Sequence, residues 1–317
     1  NLRIWFYLRK YVFWTFSFFQ YNGDINIFLI MFDKIITKKI KYLFDLIRLD
    51  KPIGFLLLLW PCWFALANLQ QNNLELIKWY IYFFFGAFLM RSAGCIVNDL
   101  IDINLDKKIE RTAERPLTSK KVSIFEAIVL LFFFLLLSFY ILLQFDFYSI
   151  IIALASLPLV LLYPFLKRYT HWPQLGLGLV FSWGVLIVAM QFLGTITLDF
   201  LLLYVGCIFW TLAYDTIYAY QDVKDDIKHN IKSTAVLFGE KGHKYVRIFY
   251  SLFFIIIGLL GFYSSQSLFS LIVIIVLIFA MGLYLNKWKL DSANSSNHYF
   301  RFNNIIGLLC FLYLFIF

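Results

Sequence analysis

Long uninterrupted runs of apolar residues dominate the chain. Nine of them have roughly the 17–22 residues that an α-helix needs to cross a bilayer. They cover residues 53–69, 76–97, 124–143, 147–165, 175–193, 200–220, 246–263, 268–285 and 303–317. A membrane β-barrel would instead show short segments of alternating polarity. The pattern therefore predicts an all-α, polytopic membrane protein with nine transmembrane helices.

The composition supports this prediction and excludes other classes of protein. The 317 residues are 62% hydrophobic and only 15% charged, with 38 Phe, 20 Tyr and 9 Trp, whereas a soluble domain is about 25% charged. One core could not bury so much apolar surface, so lipid must cover much of it. A soluble enzyme, a disordered protein and a collagen-like fibre are excluded. The four cysteines lie in apolar runs without a Cys-x-x-Cys pair, so neither disulfides nor a zinc site are expected.

The net charge of +9 follows from the topology rather than from a nucleic-acid partner. Lys and Arg concentrate in the connections after the second, fourth, sixth and eighth runs, whereas the opposite connections have none. These opposite connections are 70–75, 144–146, 194–199 and 264–267. The positive-inside rule then places the basic loops in the cytoplasm and the C-terminus on the other side. No nucleic acid is expected as a partner.

Residues 1–47 do not fit the pattern of spanning runs. The aromatic stretch at 4–19 contains Arg9 and Lys10, which disfavour a span, and no small-residue cleavage site follows it. We interpret 1–47 as an N-terminal extension that is either interfacial or not part of the native protein. The membrane domain is expected to cover 48–317.

Two groups of acidic residues interrupt the hydrophobic pattern at the ends of the second and sixth runs. Asn98, Asp102 and Asp106 are spaced i, i+4, i+8, so they share one face of a helix. Asp215, Tyr218, Asp222 and Asp226 show a similar spacing at the end of the sixth run; these four are expected on one face as well. Oxygen ligands without His or Cys favour a hard cation such as Mg²⁺ bridging a substrate phosphate.

Basic residues accompany both acidic groups at the predicted cytoplasmic end. These cations are Lys51, Arg111, Arg115, Lys167 and Lys232. Carboxylates, metal and cations together suit a diphosphate, whose charge must be neutralised as it leaves. The structural alternative is that acidic loop residues merely balance their basic neighbours, and that Tyr163 and Lys167 are an interfacial pair.

Arg91 lies inside the second run, seven residues before Asn98 and hence on the same helical face. A buried Arg is costly unless it is paired. It either meets an internal acid such as Asp215 or binds an anionic substrate. The residues alone leave both alternatives open.

These residues resemble the UbiA superfamily of intramembrane prenyltransferases, over residues 46–317. Its Asn-Asp-x-x-Asp-x-x-x-Asp motif is matched by Asn98 to Asp106, and its second Asp-x-x-x-Asp motif by Asp222 and Asp226. Two further elements of the family also match. They are Tyr163 with Lys167, and Arg111, Thr112, Arg115 and Pro116. One departure is Asn230, where members usually have Gly; Asn tolerates left-handed backbone, so the turn is expected to survive.

The resemblance implies a UbiA-type helical bundle and a Mg²⁺-dependent transfer of a polyprenyl group. In the branch that this chain resembles most, polyprenyl diphosphate alkylates 4-hydroxybenzoate ortho to its hydroxyl, a step of ubiquinone synthesis. The implied metal ligands are Asn98, Asp102, Asp106, Asp222 and Asp226. The implied catalytic residues are Asp102, Asp106, Asp222, Asp226 and Lys167. The implied substrate-binding residues are Lys51, Arg91, Arg111, Arg115, Tyr163, Asp215, Tyr218 and Lys232.

Two other functions stay open. One is a sister enzyme with a different acceptor, such as a naphthoate, homogentisate, haem or chlorophyllide. The other is a cation transporter whose intramembrane carboxylates bind the ion. The resemblance implies the bacterial inner membrane with a cytoplasmic active site, or alternatively the mitochondrial inner membrane. The sequence does not determine the prenyl chain length or the oligomeric state.

Overall fold

A computed structural model of the chain describes residues 37–70, 74–107 and 110–317, except for the side chains at 110 and 111. This part of the chain contains no β-strand and nine long helices, which we number α1 to α9. Their bounds are α1 Ile53–Asn68, α2 Glu75–Asp106, α3 Ile124–Leu142, α4 Phe147–Tyr169, α5 Pro173–Leu193, α6 Leu198–Ala219, α7 Gly242–Ser265, α8 Leu268–Leu285 and α9 Ala293–Ile316. Eight are long and apolar enough to cross a membrane, and α1 is a shorter apolar helix. The prediction of an all-α, multi-span membrane protein is confirmed.

Helices α4 and α5 are each broken near the middle. The first half of α4 ends at Ala155, and Pro158, which has no backbone N–H to donate, lies in the first turn of the second half. Helix α5 breaks between Phe181 and Gly184. The two breaks lie side by side: Trp183 Nε1, in the break of α5, donates a hydrogen bond of 2.8 Å to the carbonyl of Ile152, near the break of α4.

Helix α6 lies at the centre of the bundle and packs against α5, α7 and α9. A buried polar contact joins three of these helices: Trp210 Nε1 and the Tyr250 hydroxyl each donate 2.8 Å hydrogen bonds to Asn303 Oδ1. Asn303 in turn donates to two carbonyls of its own helix, so the buried amide is satisfied. Helix α3, by contrast, packs chiefly on α2 and exposes most of its surface, as lipid-facing helices do.

The packed part of the chain begins before residue 48. Residues 37–46 form a helix whose last residue, Leu46, is fully buried against apolar residues of α2. Lys39 also forms an ion pair of 2.7 Å with Glu126 at the start of α3. The bundle therefore extends at least to residue 37, further than the expected boundary at 48. Residues 1–36, which make up most of the expected extension, lie outside the described residues.

The chain after α6 folds back instead of continuing as one helix. Helix α6 ends at Ala219, and two short helices follow, Val223–Lys228 and Thr234–Phe238. The Tyr220 hydroxyl, which donates to the carbonyl of Gly239 at 2.5 Å, ties this fold-back in place. The expectation that Asp215, Tyr218, Asp222 and Asp226 share one helical face is wrong, because α6 ends before Asp222 and Asp226 belongs to the separate short helix. The turn predicted at Asn230 is confirmed by its φ of 55°.

Candidate active site

A cavity of about 1220 Å³ runs from the ends of α2 and α6 into the bundle. Residues of α1, α2, α3, α4, α5, α6 and α9 line it. Seven of the sequence-predicted site residues meet in this one cavity. They are Lys51, Arg91, Asn98, Arg115, Tyr163, Asp215 and Tyr218. The side chain of Arg111 lies outside the described part of the chain.

A chain of buried ion pairs borders the mouth of the cavity. Asp99 is fully buried; its carboxylate accepts from Arg48 at 2.7 Å and from Arg115 at 3.1 Å. Arg115 also contacts Asp106 at 2.7 Å. Burial alone lowers the pKa of Arg48, but the Asp99 carboxylate outweighs it, so the pKa is raised and the side chain stays charged. Both arginines line the cavity, so the cluster places guanidinium groups, balanced by Asp99 and Asp106, at its mouth.

Asp102 lies next to a second pair of cations at the end of α4. Its carboxylate is 2.5 Å from Lys167 Nζ and 3.7 Å from Arg168. Lys167, one of the cations expected at the cytoplasmic end, thus contacts the first acidic motif. One carboxylate oxygen of Asp102, Oδ1, is buried without a hydrogen-bond partner; Arg168 Nη2 lies 3.7 Å from it, beyond hydrogen-bond distance.

The second acidic motif lies beyond the lining of the cavity. Asp226 is nearly buried and accepts a hydrogen bond of 3.3 Å from the Ser233 hydroxyl, while Asp222 precedes the first turn of the short helix. Lys232 does not line the cavity either. Its Nζ donates a hydrogen bond of 3.0 Å to the carbonyl of Tyr169. The neighbouring Gln221 does line the cavity, and its buried Nε2 has no hydrogen-bond partner.

The donor set of the two motifs fits Mg²⁺ by its chemistry. The ligands are carboxylate and amide oxygens, which a hard cation prefers, and the buried Asp102 Oδ1 has an unused lone pair. Within the described residues no three His, Cys, Asp or Glu side chains already converge. In this structure Lys167 neutralises the charge of Asp102, and Arg115 neutralises that of Asp106.

Arg91 lies deeper in the cavity than the mouth cations, about 10 Å along α2 from Asn98. Its Nη1 donates to the Cys95 sulfur at 2.9 Å, and its buried Nε has no partner. Within the described part of the chain, its side chain contacts Cys95 and Phe181 but forms no ion pair, although Asp215 lines the same cavity. The alternative in which Arg91 pairs with an internal acid is therefore not found at contact distance.

Helix α9 supplies a wall of the cavity that the motifs did not indicate. Asn297, Phe300, Arg301 and Asn304 lie at i, i+3, i+4 and i+7, so they share one helical face. The Phe300 ring packs on Tyr218 with centroids 4.6 Å apart. Only the helical spacing of polar residues inside an apolar run could have identified this wall from the sequence.

Most of the remaining lining residues of the cavity are apolar. Helices α3 and α4 contribute side chains that are also exposed on the bundle, including Leu136 at 53% and Leu157 at 40%. The cavity therefore combines cations at its mouth, a deeper guanidinium and an apolar side towards lipid. All four cysteines are free and buried.

Residues 58–308 match the UbiA prenyltransferase family. The chain is 39% identical over 276 residues to a 4-hydroxybenzoate octaprenyltransferase of Francisella tularensis subsp. mediasiatica, covering 87% of this chain and 96% of that protein. It is 37% identical over 276 residues to the protein of the same name from Pseudoalteromonas translucida, covering 85% and 94%.

Solved structures share the same fold at lower sequence identity. A UbiA homologue from Archaeoglobus fulgidus, bound to GPP and Mg²⁺, has a TM-score of 0.67 at 17% identity and covers 87% of this chain and 98% of that one. A UbiA homologue from Aeropyrum pernix K1 has a TM-score of 0.59 at 22% identity, covering 81% and 98%. The match extends along most of the chain, from the first spanning helix to the last, and the chain belongs to the UbiA prenyltransferase family.

Proposed function

We propose that this protein transfers a polyprenyl group from polyprenyl diphosphate to 4-hydroxybenzoate, forming a bond to the ring carbon ortho to the hydroxyl. The observation that carries this proposal is the division of charge in one cavity. Cations gather at the mouth, a single guanidinium lies deeper, and the lipid side is apolar. Relatives named 4-hydroxybenzoate octaprenyltransferase, at 37–39% identity, support the choice of acceptor.

The diphosphate is held at the mouth. Lys51, Arg115 and Arg48 line this region and can donate charged hydrogen bonds to the diphosphate oxygens. Asn98, Asp102, Asp106, Asp222 and Asp226 would hold Mg²⁺. When bound, that ion supplies charge that stabilises the diphosphate as a leaving group. A solved UbiA homologue bound to GPP and Mg²⁺ supports this assignment.

The acceptor occupies the deeper part of the cavity. Arg91 binds its carboxylate, because a planar guanidinium can grip both carboxylate oxygens at once. Tyr163, Asp215 and Tyr218 line the same region and offer hydroxyl and carboxylate groups to the phenol. The hydroxyl then activates the neighbouring ring carbon for attack.

The reaction breaks one bond and forms one. The allylic C–O bond of the diphosphate breaks, leaving an allylic cation and diphosphate. The ring carbon ortho to the hydroxyl attacks the cation and then loses its proton, which the Asp215 carboxylate can accept. The apolar walls keep water from quenching the cation, and the prenyl tail lies along α3 and α4.

We place the active site on the cytoplasmic side of the bacterial inner membrane. The basic connections of the sequence support this side, because the loops after α2 and α6 carry the clustered Lys and Arg residues. The bacterial origin of the named relatives supports the membrane.

Turnover with several aromatic acceptors tests the proposal. Purified protein in lipid receives isotopically labelled prenyl diphosphate, Mg²⁺ and, in parallel, 4-hydroxybenzoate, 1,4-dihydroxy-2-naphthoate or homogentisate. We expect labelled product with 4-hydroxybenzoate, substituted ortho to the hydroxyl. Preferred turnover of another acceptor would refute the assigned substrate but not the reaction type. Mg²⁺ uptake into proteoliposomes without turnover would instead favour the transporter.

A further inference from the structure

The Arg91 guanidinium lies in a slot between three helices. On α2 itself, one turn along, the Cys95 sulfur accepts from its Nη1 at 2.9 Å. On α5, the Phe181 ring centroid lies 5.9 Å from its Cζ, within cation–π range. On α1, the backbone of Gly54 forms the remaining side. Arg91 thus enters the cavity with its orientation fixed by its neighbours.

Gly54 leaves the space that the guanidinium fills. A Cβ at this position would lie 2.9 Å from Arg91 Nε and 3.1 Å from its Nη2. The backbone does not require glycine, since the described glycines with positive φ are Gly194 and Gly239 only. The missing side chain is therefore needed for room and not for conformation.

We infer that Gly54 is a positioning residue for the acceptor, because it sets where the Arg91 guanidinium meets the substrate carboxylate. The inference rests on the proposed function for the identity of that carboxylate. The atoms that a methyl group would displace are the far end of a flexible side chain, so the fold can tolerate alanine. We therefore expect the substitution to weaken acceptor binding rather than to unfold the protein.

The test is Gly54→Ala, assayed by steady-state kinetics against each substrate. We expect the KM for 4-hydroxybenzoate to rise about tenfold or more, since one charged hydrogen bond is misplaced. The KM for prenyl diphosphate stays within about twofold, because the mouth cations do not move. The matched control is Gly282→Ala on α8, where an added Cβ meets no atom within 4 Å. Its two KM values are expected to equal those of the wild type.

A second background shows whether Gly54 acts through Arg91. In Arg91→Ala protein, which has no guanidinium to displace, Gly54→Ala should change the acceptor KM no further. An equal effect in both backgrounds would overturn the inference, as would unchanged acceptor kinetics or a parallel rise of both KM values.

Benzoate binding separates this inference from the proposed function. Benzoate carries the carboxylate but no hydroxyl, so it should raise the thermal unfolding midpoint of wild type and of Gly282→Ala, and not of Gly54→Ala. If 4-hydroxybenzoate is not prenylated but this benzoate pattern holds, the acceptor assignment fails and the role of Gly54 stands. If benzoate stabilises Gly54→Ala as well as wild type, or fails to stabilise wild type, the inference falls.

Discussion

Asp99 holds two arginines at the mouth of the cavity. Its carboxylate is fully buried and contacts both Arg48 and Arg115. Asp99→Asn leaves the partly buried Arg48 guanidinium without its counter-charge, whereas Arg115 keeps its ion pair with Asp106. Breaking a buried pair costs about 3–5 kcal/mol. We therefore expect a lower thermal unfolding midpoint for the purified variant.

An exposed ion pair provides the control for Asp99. Glu114 and Lys121 are 2.8 Å apart, but Glu114 is 85% exposed. Water already solvates both groups, so Glu114→Gln should leave the midpoint unchanged. Equal midpoints for Asp99→Asn and Glu114→Gln would contradict a structural role for the buried cluster.

Asp102 and Asp226 are expected to be indispensable for turnover. Asp102→Ala and Asp226→Ala each remove a proposed metal-binding carboxylate, and a diphosphate without its metal is a poor leaving group. The control is Asp199→Asn, on a carboxylate that accepts from Asn68 at the other end of the bundle. A variant retaining more than about a tenth of the wild-type rate at saturating Mg²⁺ loses less than roughly 1.4 kcal/mol, which would remove that residue from the metal site.

Arg91→Lys should separate the two substrates. Lysine keeps the charge but cannot bind a carboxylate bidentately, so the KM for 4-hydroxybenzoate should rise while that for prenyl diphosphate stays nearly unchanged. Kinetics of folded, purified variant against each substrate provide the measurement. A selective effect on the diphosphate would contradict the assignment of Arg91 to the acceptor.

Among the elements, α3 and α4 form the apolar side of the cavity. Leu157 lies on this side, at the start of the second half of α4, and is partly exposed. If the prenyl tail passes here, Leu157→Trp should lower kcat/KM for octaprenyl diphosphate about tenfold, since a misfit in an apolar pocket has that order of effect. Geranyl diphosphate, whose tail is short, should be affected far less.

The control for Leu157→Trp is a lipid-facing position outside the cavity lining. Ile275 on α8 is 64% exposed, so Ile275→Trp adds the same bulk without narrowing the cavity. We expect no change in the ratio of the two kcat/KM values. A similar loss for both chain lengths in Leu157→Trp would place the tail elsewhere.

For the whole molecule, the orientation in the membrane is the main prediction. All four native cysteines are buried, so a single introduced cysteine can report which side a loop faces. Glu240→Cys, in the basic segment before α7, should react with an impermeant maleimide only after cells are permeabilised. Gln144→Cys, between α3 and α4, should react in intact spheroplasts. The reverse pattern would contradict the positive-inside assignment.

The helical architecture could be predicted because it depends on the local pattern. An apolar run of about 20 residues in lipid must satisfy its own backbone hydrogen bonds, and a helix does so within the segment. The sequence indicates candidate site residues only where a motif or a misplaced charge marks them. The motifs mark Asp102 and Lys167, and a charge inside an apolar run marks Arg91. Arg48, Gln221 and Asn304 carry no such mark, because polar residues near span ends also serve topology and solvation.

The sequence by itself determined the membrane class, the all-helical architecture and the acidic motifs, since each depends on residues close together in the chain. The tertiary structure decided which of these residues meet. Asp99 gathers Arg48 and Arg115 from segments on either side of it, and Gly54 of α1 accommodates Arg91 of α2. The end of α6 at Ala219 was likewise decided by packing, because Tyr220 is tied to Gly239 across the fold-back. Such contacts join residues far apart in sequence, and helical periodicity carries no information about them.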